Sequence, residues 1–171
     1  MKTVQGNLIE CDAEALVNTV NCVGVMGKGI ALQFKQAYPE NFKAYARACK
    51  DGKVEPGYMF TYETGNLANP KFIINFPTKR HWKGKSRIED IKLGLSALMA
   101  EISRLRIRSI AVPPLGCGNG GLGWNEVRPL IESAFNSLPD IEVHLYEPAV
   151  APEPDKMPVS KKIPTMTRAR A

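Results

Sequence analysis

The sequence of 171 residues lacks the features that mark membrane, secreted and zinc-binding proteins. It contains no run of about eighteen apolar residues, so no transmembrane helix and no membrane partner are expected. A polar segment follows Met1 directly, without the pattern of a signal peptide. The four cysteines are widely spaced without a CxxC pair, and the two histidines are isolated. The sequence therefore predicts no metal site and indicates reduced thiols in a cytoplasmic protein.

Positive charge is abundant but unevenly placed along the chain. The net charge is +6, and residues 151–171 carry five Lys or Arg against two Asp or Glu. The same segment contains repeated prolines and shows no hydrophobic periodicity. We therefore expect one folded domain over residues 1–148 and a Pro-rich basic linker over residues 149–171, disordered and leading to a further C-terminal region.

The hydrophobic pattern of residues 1–148 alternates between strands and helices. Helices are predicted after Gly29, from Pro39 to Lys50, from Arg87 to Arg106 and after Gly123. Strands are predicted over residues 1–7, 15–21, 59–62, 71–76, 110–112 and 141–146. This alternation predicts an α/β domain with a largely parallel sheet that is covered on both faces.

Two glycine-rich loops follow predicted strands. The first glycine loop, residues 23–29, holds Lys28 between two glycines, and the second glycine loop, residues 116–123, has five glycines in eight residues. Glycines allow several backbone N–H groups to converge on an anion, and a following helix is expected to add partial positive charge. The second glycine loop matches neither a P-loop nor a dinucleotide fingerprint. Since ligands bind beyond the carboxyl ends of parallel strands, both loops are expected to line one cleft.

A third segment, the basic loop of residues 79–87, combines five Lys or Arg with His81 and Trp82. A solvated surface loop is one interpretation of this composition. The other is a polyanionic partner, because clustered cations with an aromatic residue suit phosphates and a stacked base.

Four motifs in this order resemble the macrodomain family of ADP-ribose-binding proteins. They are Gln-Gly-Asn-Leu (residues 5–8), Val-Asn-Thr-Val-Asn-Cys-Val-Gly-Val-Met-Gly-Lys-Gly-Ile-Ala (17–31), Phe-Pro-Thr-Lys-Arg-His-Trp (76–82) and Pro-Leu-Gly-Cys-Gly-Asn-Gly-Gly-Leu (114–122). The resemblance is greatest to the branch that holds the human terminal ADP-ribose glycohydrolase and the macrodomains of bacterial DarG antitoxins. It implies a three-layer α/β/α sandwich with a mixed, largely parallel sheet, and it implies no cofactor.

The resemblance also implies roles for individual residues. Asn7 and Leu8 would lie by the adenine of ADP-ribose, Asn21 by the distal ribose, and Lys79 would be catalytic. The residues implied to surround the pyrophosphate are Gly27, Lys28, Gly29, Ile30, Ala31, Leu115, Gly116, Cys117, Gly118, Asn119 and Gly120. The residues expected to contact DNA are Arg80, Trp82, Lys83 and Lys85.

The implied activity is removal of ADP-ribose from thymidine bases in single-stranded DNA by a monomeric domain. Such a protein would act as the antitoxin to a DNA ADP-ribosyltransferase toxin, which it would bind through the further C-terminal region. Two alternative functions would use the same cleft. One is a non-catalytic ADP-ribose reader, and the other is a hydrolase of protein-linked ADP-ribose or of ADP-ribose 1''-phosphate.

Two catalytic roles are open to Lys79. A neutral amine would attack the anomeric carbon or its ring-opened aldehyde form, giving a Schiff-base type intermediate. An ammonium would donate a proton or a hydrogen bond to the departing thymine. The neighbouring Arg80, Lys83, Lys85 and Arg87 are expected to lower the pKa of Lys79 and so to favour the neutral amine. One departure from the human relative is the absence of its catalytic aspartate, because Gly120 stands at that position.

Overall fold

The computed structural model describes residues 1–149, and the tail expected over residues 149–171 lies, apart from Ala149, outside the described residues. The strands in that range are β1 (Lys2–Val4), β2 (Ala15–Val20), β3 (Phe60–Glu63), β4 (Phe72–Pro77), β5 (Ser109–Val112) and β6 (Glu142–Tyr146). The α-helices are α1 (Gly29–Ala37), α2 (Pro39–Lys50), α3 (Ile88–Leu105) and α4 (Trp124–Phe135). None of these helices is both long and apolar enough to cross a membrane.

The strands form one mixed sheet in the order β1-β6-β5-β2-β4-β3. Strand β2 lies between β5 and β4 and pairs in parallel with both. Only β3, at one edge of the described sheet, runs antiparallel to its neighbour. The parallel strands therefore direct their carboxyl ends, and the loops that follow them, to one edge of the sheet.

Alternate side chains of the strands pack into hydrophobic clusters on opposite faces of the sheet. Val17, Ile74 and Val112 pack with α3 and α4 on one face. Leu16 and Ile73 pack with Phe34 of α1 on the other face, and Tyr45 of α2 lies in an adjoining cluster. Each such fully buried side chain contributes about 1.5–3 kcal/mol through the apolar area it removes from water. The predicted sandwich of helices on both faces of a mixed sheet is confirmed.

The first strand is shorter than predicted. Strand β1 ends at Val4, because Gly6 takes a φ of +120° and Asn7 starts a 3₁₀ turn. The side-chain Oδ1 of Asn7 accepts a hydrogen bond from the backbone N–H of Ile9 at 3.1 Å, which caps this turn. The alternation of the sequence does not reveal such a cap.

Three asparagines form a buried polar cluster between β2, β4 and α2. The Nδ2 of Asn75 donates to Asn41 Oδ1 at 2.9 Å and to the backbone carbonyl of Phe60 at 3.0 Å. Its Oδ1 accepts from Asn18 Nδ2 at 3.1 Å and from Asn41 Nδ2 at 3.3 Å. All three asparagines are fully buried. Because one side chain satisfies groups on three elements, this cluster fixes the position of α2 against the sheet.

We predict that Asn75→Ala lowers the free energy of unfolding by about 2–3 kcal/mol, because it leaves buried amide and carbonyl groups without partners. Urea denaturation measures this loss. Asn66→Ala, at an exposed loop asparagine, is the matched control and is expected to stay within about 0.5 kcal/mol of the parent. Equal stability of the two variants would contradict the structural role of the cluster.

Candidate functional site

A cleft of about 800 Å³ opens at the carboxyl edge of the sheet. Both glycine loops lie on its wall, as the sequence predicted, and the basic loop closes one end. The predicted residues that line it are Asn21, Gly27, Lys28, Gly29, Ile30, Ala31, Lys79, Trp82, Gly116, Cys117, Gly118, Asn119 and Gly120. The cleft therefore unites segments that are separated by up to about ninety residues in the sequence.

The first glycine loop brings the N-terminus of α1 to the cleft. The helix begins at Gly29, whose φ is +57°, and Lys28 precedes it with extended backbone. The N–H groups of the first helical turn have no acceptor within the helix, and the helix dipole adds partial positive charge there. This turn is suited to holding a phosphate.

The second glycine loop forms the facing wall. It contains a 3₁₀ turn, Gly118–Gly120, and Gly118 takes a φ of +68°. The two loops approach closely, since a Cβ built on Gly29 would lie 3.5 Å from the Nδ2 of Asn119. The cleft wall ends at Gly120, whereas α4 begins at Trp124. The expectation that the helix after this loop supports the anion site is therefore wrong, and α1 takes that role.

Asn21 shapes the first glycine loop with its own side chain. Its Oδ1 accepts from the N–H of Val23 at 3.1 Å and from the N–H of Val25 at 3.3 Å, and the single hydroxyl proton of Tyr45 is shared between this Oδ1 at 2.8 Å and the backbone carbonyl of Asn21 at 2.7 Å. Its Nδ2 donates to the carbonyl of Val25 at 2.8 Å. The acceptor face is thus fully used within the protein, and one N–H of the amide is left for a ligand.

The backbone around Lys79 is joined to the end of β2. The N–H of Thr78 donates to the carbonyl of Val20 at 2.9 Å, and the N–H of Cys22 donates to the carbonyl of Arg80 at 3.3 Å. The ammonium of Lys79 donates to the backbone carbonyl of Trp82 at 3.4 Å. These contacts hold Lys79 on the wall of the cleft, half-buried, opposite both glycine loops.

The pKa of Lys79 is lowered from its ordinary value, first by burial and then by the ammonium groups of Lys28 and Lys85. The predicted direction is confirmed, and Lys85 is among the expected causes, whereas burial and Lys28 were not expected. Arg80 is held by Asp90 through two hydrogen bonds of 3.2 Å and is not one of the groups that lower this pKa. Instead, Lys28 reaches Lys79 from the first glycine loop, which is about fifty residues away in the sequence.

Gly120 has no room for a side chain. A Cβ built there would overlap the Oγ of Ser86, which is itself buried, and the N–H of Ser86 donates to the carbonyl of Gly120 at 2.9 Å. A carboxylate at this position would require the basic loop to move. The second glycine loop therefore places no carboxylate beside Lys79 in the cleft.

A second cavity of about 290 Å³ adjoins the cleft at Lys79. Lys28, Lys79, Trp82 and Asn119 line both spaces. The other residues that line the second cavity are Lys83, Gly84 and Lys85. Cations with one aromatic residue surround this space, as the polyanion interpretation of the basic loop requires.

Four predicted site residues do not line either cavity. Leu115 is completely buried in the core beneath the second glycine loop, and Leu8 is buried against α1. Asn7 is exposed and caps the 3₁₀ turn that follows β1. Arg80 donates two hydrogen bonds to the buried carboxylate of Asp90, while 56% of its side chain stays exposed.

Several residues on the cleft wall were missed by sequence reasoning. They are Thr19, Val20, Val25, Thr78, Pro113, Pro114, Pro148 and Ala149. Most of them stand at or directly after the end of a strand. That position is a signal that could have identified them, because the ends of β2, β4, β5 and β6 meet at this edge.

Cys117 is on the wall but is a poor nucleophile. Burial, with a smaller contribution from Glu126, raises the pKa of its thiol to about 11. Neither of the two histidines of the described residues lines the cleft to activate it. Residues 1–149 also contain no group of three or more His, Cys, Asp or Glu side chains arranged to hold a metal ion.

Comparison with known proteins agrees with this geometry. The family model described as the Macro domain matches residues 17–131. The chain is 52% identical over 171 residues to a DNA ADP-ribosyl glycohydrolase of Thermus aquaticus, covering 100% of this chain and 48% of that protein. The chain thus spans about half the length of this relative.

Solved structures give the same result. The macrodomain of Mycobacterium tuberculosis DarG superposes with a TM-score of 0.86 at 56% identity, covering 86% of this chain and 97% of that one. Thermosipho africanus DarTG, solved in complex with ADP-ribose, superposes with a TM-score of 0.81 at 37% identity, covering 90% of this chain and 43% of that one. With its mixed sheet, its two glycine loops on one cleft and these matches, the chain belongs to the macro domain family.

Proposed function

We propose that this chain is a DNA ADP-ribosyl glycohydrolase that releases ADP-ribose from thymidine in single-stranded DNA. The observation that carries the proposal is the position of Lys79, on the wall of the anion-binding cleft and at its junction with a cationic second cavity. A reader of ADP-ribose needs the cleft alone. The name of the Thermus aquaticus relative supports the same activity.

The cleft suits ADP-ribose from its pyrophosphate outwards. The start of α1 and the second glycine loop both line the cleft, and in this proposal their unpaired backbone N–H groups hold the two phosphates. The distal ribose then extends toward Lys79 and Asn21, and the adenosine extends toward Pro148 and Ala149. The segment of Asn7 and Leu8 follows β1, which is paired with β6 at the same edge of the sheet, so we retain it as the flank of the adenine.

Lys79 acts in this proposal as a neutral amine. Its nitrogen forms a bond to the anomeric carbon while the bond from that carbon to the thymine nitrogen breaks. The proton lost by the attacking nitrogen balances the proton taken up by the departing base. Water then hydrolyses the glycosylamine, which releases ADP-ribose and restores the amine. The lowered pKa of Lys79 favours the form that reacts.

The biological partner in this proposal is a DNA ADP-ribosyltransferase, whose modification the chain reverses as an antitoxin. A Thermosipho africanus relative that is 34% identical is named as a fusion of a DNA ADP-ribosyl transferase with a DNA ADP-ribosyl glycohydrolase. Two opposed activities on one chain support the pairing of such a toxin with this protein.

The test is release of ADP-ribose from a single-stranded oligonucleotide that carries ADP-ribosyl-thymidine. We expect the parent protein to release it and Lys79→Ala to be slower by about 10²–10⁴-fold, the usual contribution of a positioned catalytic side chain. Lys79→Arg, which keeps the charge but cannot attack, is expected to be equally slow.

Lys71→Ala is the control, because Lys71 is exposed and precedes β4 at the opposite edge of the sheet. A parent protein that binds ADP-ribose but releases none from the oligonucleotide would contradict the proposal. Full activity of Lys79→Ala would remove Lys79 from the chemistry.

The pH dependence distinguishes the amine from the ammonium. If the neutral amine reacts, kcat/KM rises with pH and levels off above the pKa of Lys79, which lies below the ordinary lysine value. Lys85→Gln removes a neighbouring positive charge, so the midpoint of its profile is expected at higher pH than that of the parent. A rate that falls with rising pH through this range would assign the ammonium as a proton donor instead.

A further inference from the structure

We infer that the second cavity is the subsite for the departing nucleotide, and that its ammonium groups hold one phosphodiester of the DNA strand beside the modified thymidine. This inference rests on the proposed glycohydrolase function. It adds to that function a subsite, a ligand class and a minimum substrate.

The charged groups that line the second cavity are all positive. They belong to Lys28, Lys83 and Lys85, which line the cavity together with the reactive amine of Lys79. Within residues 1–149, none of these three ammonium groups forms an ion pair with a carboxylate. Ammonium groups gathered without a counter-charge repel one another, and a bound anion relieves that repulsion.

The side chains of Lys83 and Lys85 are positioned by contacts with neighbouring residues. A Cβ built on Gly121 would lie 3.2 Å from the Cδ and 3.5 Å from the Nζ of Lys85, so this side chain lies along the second glycine loop. The Nζ of Lys83 lies 4.9 Å from the centre of the Trp82 ring. That ring also stacks on His81, with 5.5 Å between ring centres. The indole is thus supported while 45% of Trp82 remains exposed.

The junction of the two cavities suits the bond that joins the distal ribose to the thymine nitrogen. Thymine carries its deoxyribose on one ring nitrogen, so the other ring nitrogen bears the ADP-ribose. With the distal ribose in the cleft, the base lies at the junction formed by Lys79, Trp82 and Asn119. Its deoxyribose and phosphate then enter the second cavity. Trp82 offers a stacking surface, and the amide of Asn119 offers donors to the base carbonyls.

The second cavity is the smaller of the two spaces, so we assign it a single nucleotide. It measures about 290 Å³, against about 800 Å³ for the cleft that would hold the whole of ADP-ribose. Arg80 donates two hydrogen bonds to Asp90 and does not line this cavity. We therefore place one phosphate next to the base among the lysines that do line it, and ADP-ribose linked to protein offers no phosphate at that place.

The experiment compares kcat/KM for three substrates: ADP-ribosyl-thymidine nucleoside, its 3′-phosphate and its 5′-phosphate. We expect one of the two phosphorylated substrates to exceed the nucleoside by about tenfold or more, as a charge-assisted contact provides. The double variant Lys83→Gln/Lys85→Gln is expected to lose this preference. Lys71→Gln/Lys92→Gln removes two exposed charges outside both cavities and is expected to keep it.

The inference is overturned if the parent shows no preference for either phosphorylated substrate, or if the Lys83/Lys85 double variant keeps it. If none of the three substrates is hydrolysed although the oligonucleotide is, a subsite for a single nucleotide is overturned. If the oligonucleotide is not hydrolysed either, the proposed function fails and binding decides the inference separately. Calorimetry of thymidine 3′,5′-bisphosphate with the protein saturated in ADP-ribose is then the measurement. Binding that weakens at least tenfold in the double variant supports the subsite, and absence of binding overturns it.

Discussion

The site depends on the pairing of β2 with β4, which continues past the ends of both strands. The carbonyl of Val20 accepts the N–H of Thr78, and the carbonyl of Arg80 accepts the N–H of Cys22. These bonds fix the start of the first glycine loop against the start of the basic loop. Lys79 is thus placed by backbone hydrogen bonds that continue the sheet, and a site supported by regular elements is positioned more precisely than one on free loops.

Three loops then meet around one space because each is anchored to another. Asn119 approaches Gly29 across the cleft, and Ser86 joins the basic loop to Gly120. Asn21 and Tyr45 hold the first glycine loop from within, through their hydrogen bond of 2.8 Å. Preorganisation of this kind reduces the cost of ordering the backbone when an anion binds. The same close packing leaves position 120 without a side chain, and we therefore propose Lys79 alone for the chemistry.

The sequence predicted those features that depend on local composition and spacing. The glycines of both loops, Lys28 and the helix over Ile88–Leu105 follow from residue type and periodicity, and the structure contains each of them. The expected direction of the Lys79 pKa was also confirmed. The glycine and helix predictions succeeded because glycine conformation and amphipathic periodicity depend on neighbouring residues, whereas the lowered pKa of Lys79 arises first from burial and then from the distant Lys28 as well as from Lys85.

The features that the sequence did not reveal depend on contacts between distant residues. The engagement of Asn21 by Tyr45, the pairing of Arg80 with Asp90 and the contact of Ser86 with Gly120 require the folded chain. The same is true of Leu115, which belongs to a glycine-rich motif by sequence but packs entirely into the core. Motif membership therefore identified the cleft, whereas tertiary packing decided which side chains face it.

The central claim is that both glycine loops and Lys79 form one ligand site. The most direct measurement is titration of the ¹⁵N-labelled protein with ADP-ribose, followed by the backbone amide resonances. The account predicts that the amides of residues 27–31, residues 116–120 and Lys79 shift together with a single saturation curve. Shifts confined to one loop, or located away from the carboxyl edge of the sheet, would contradict it.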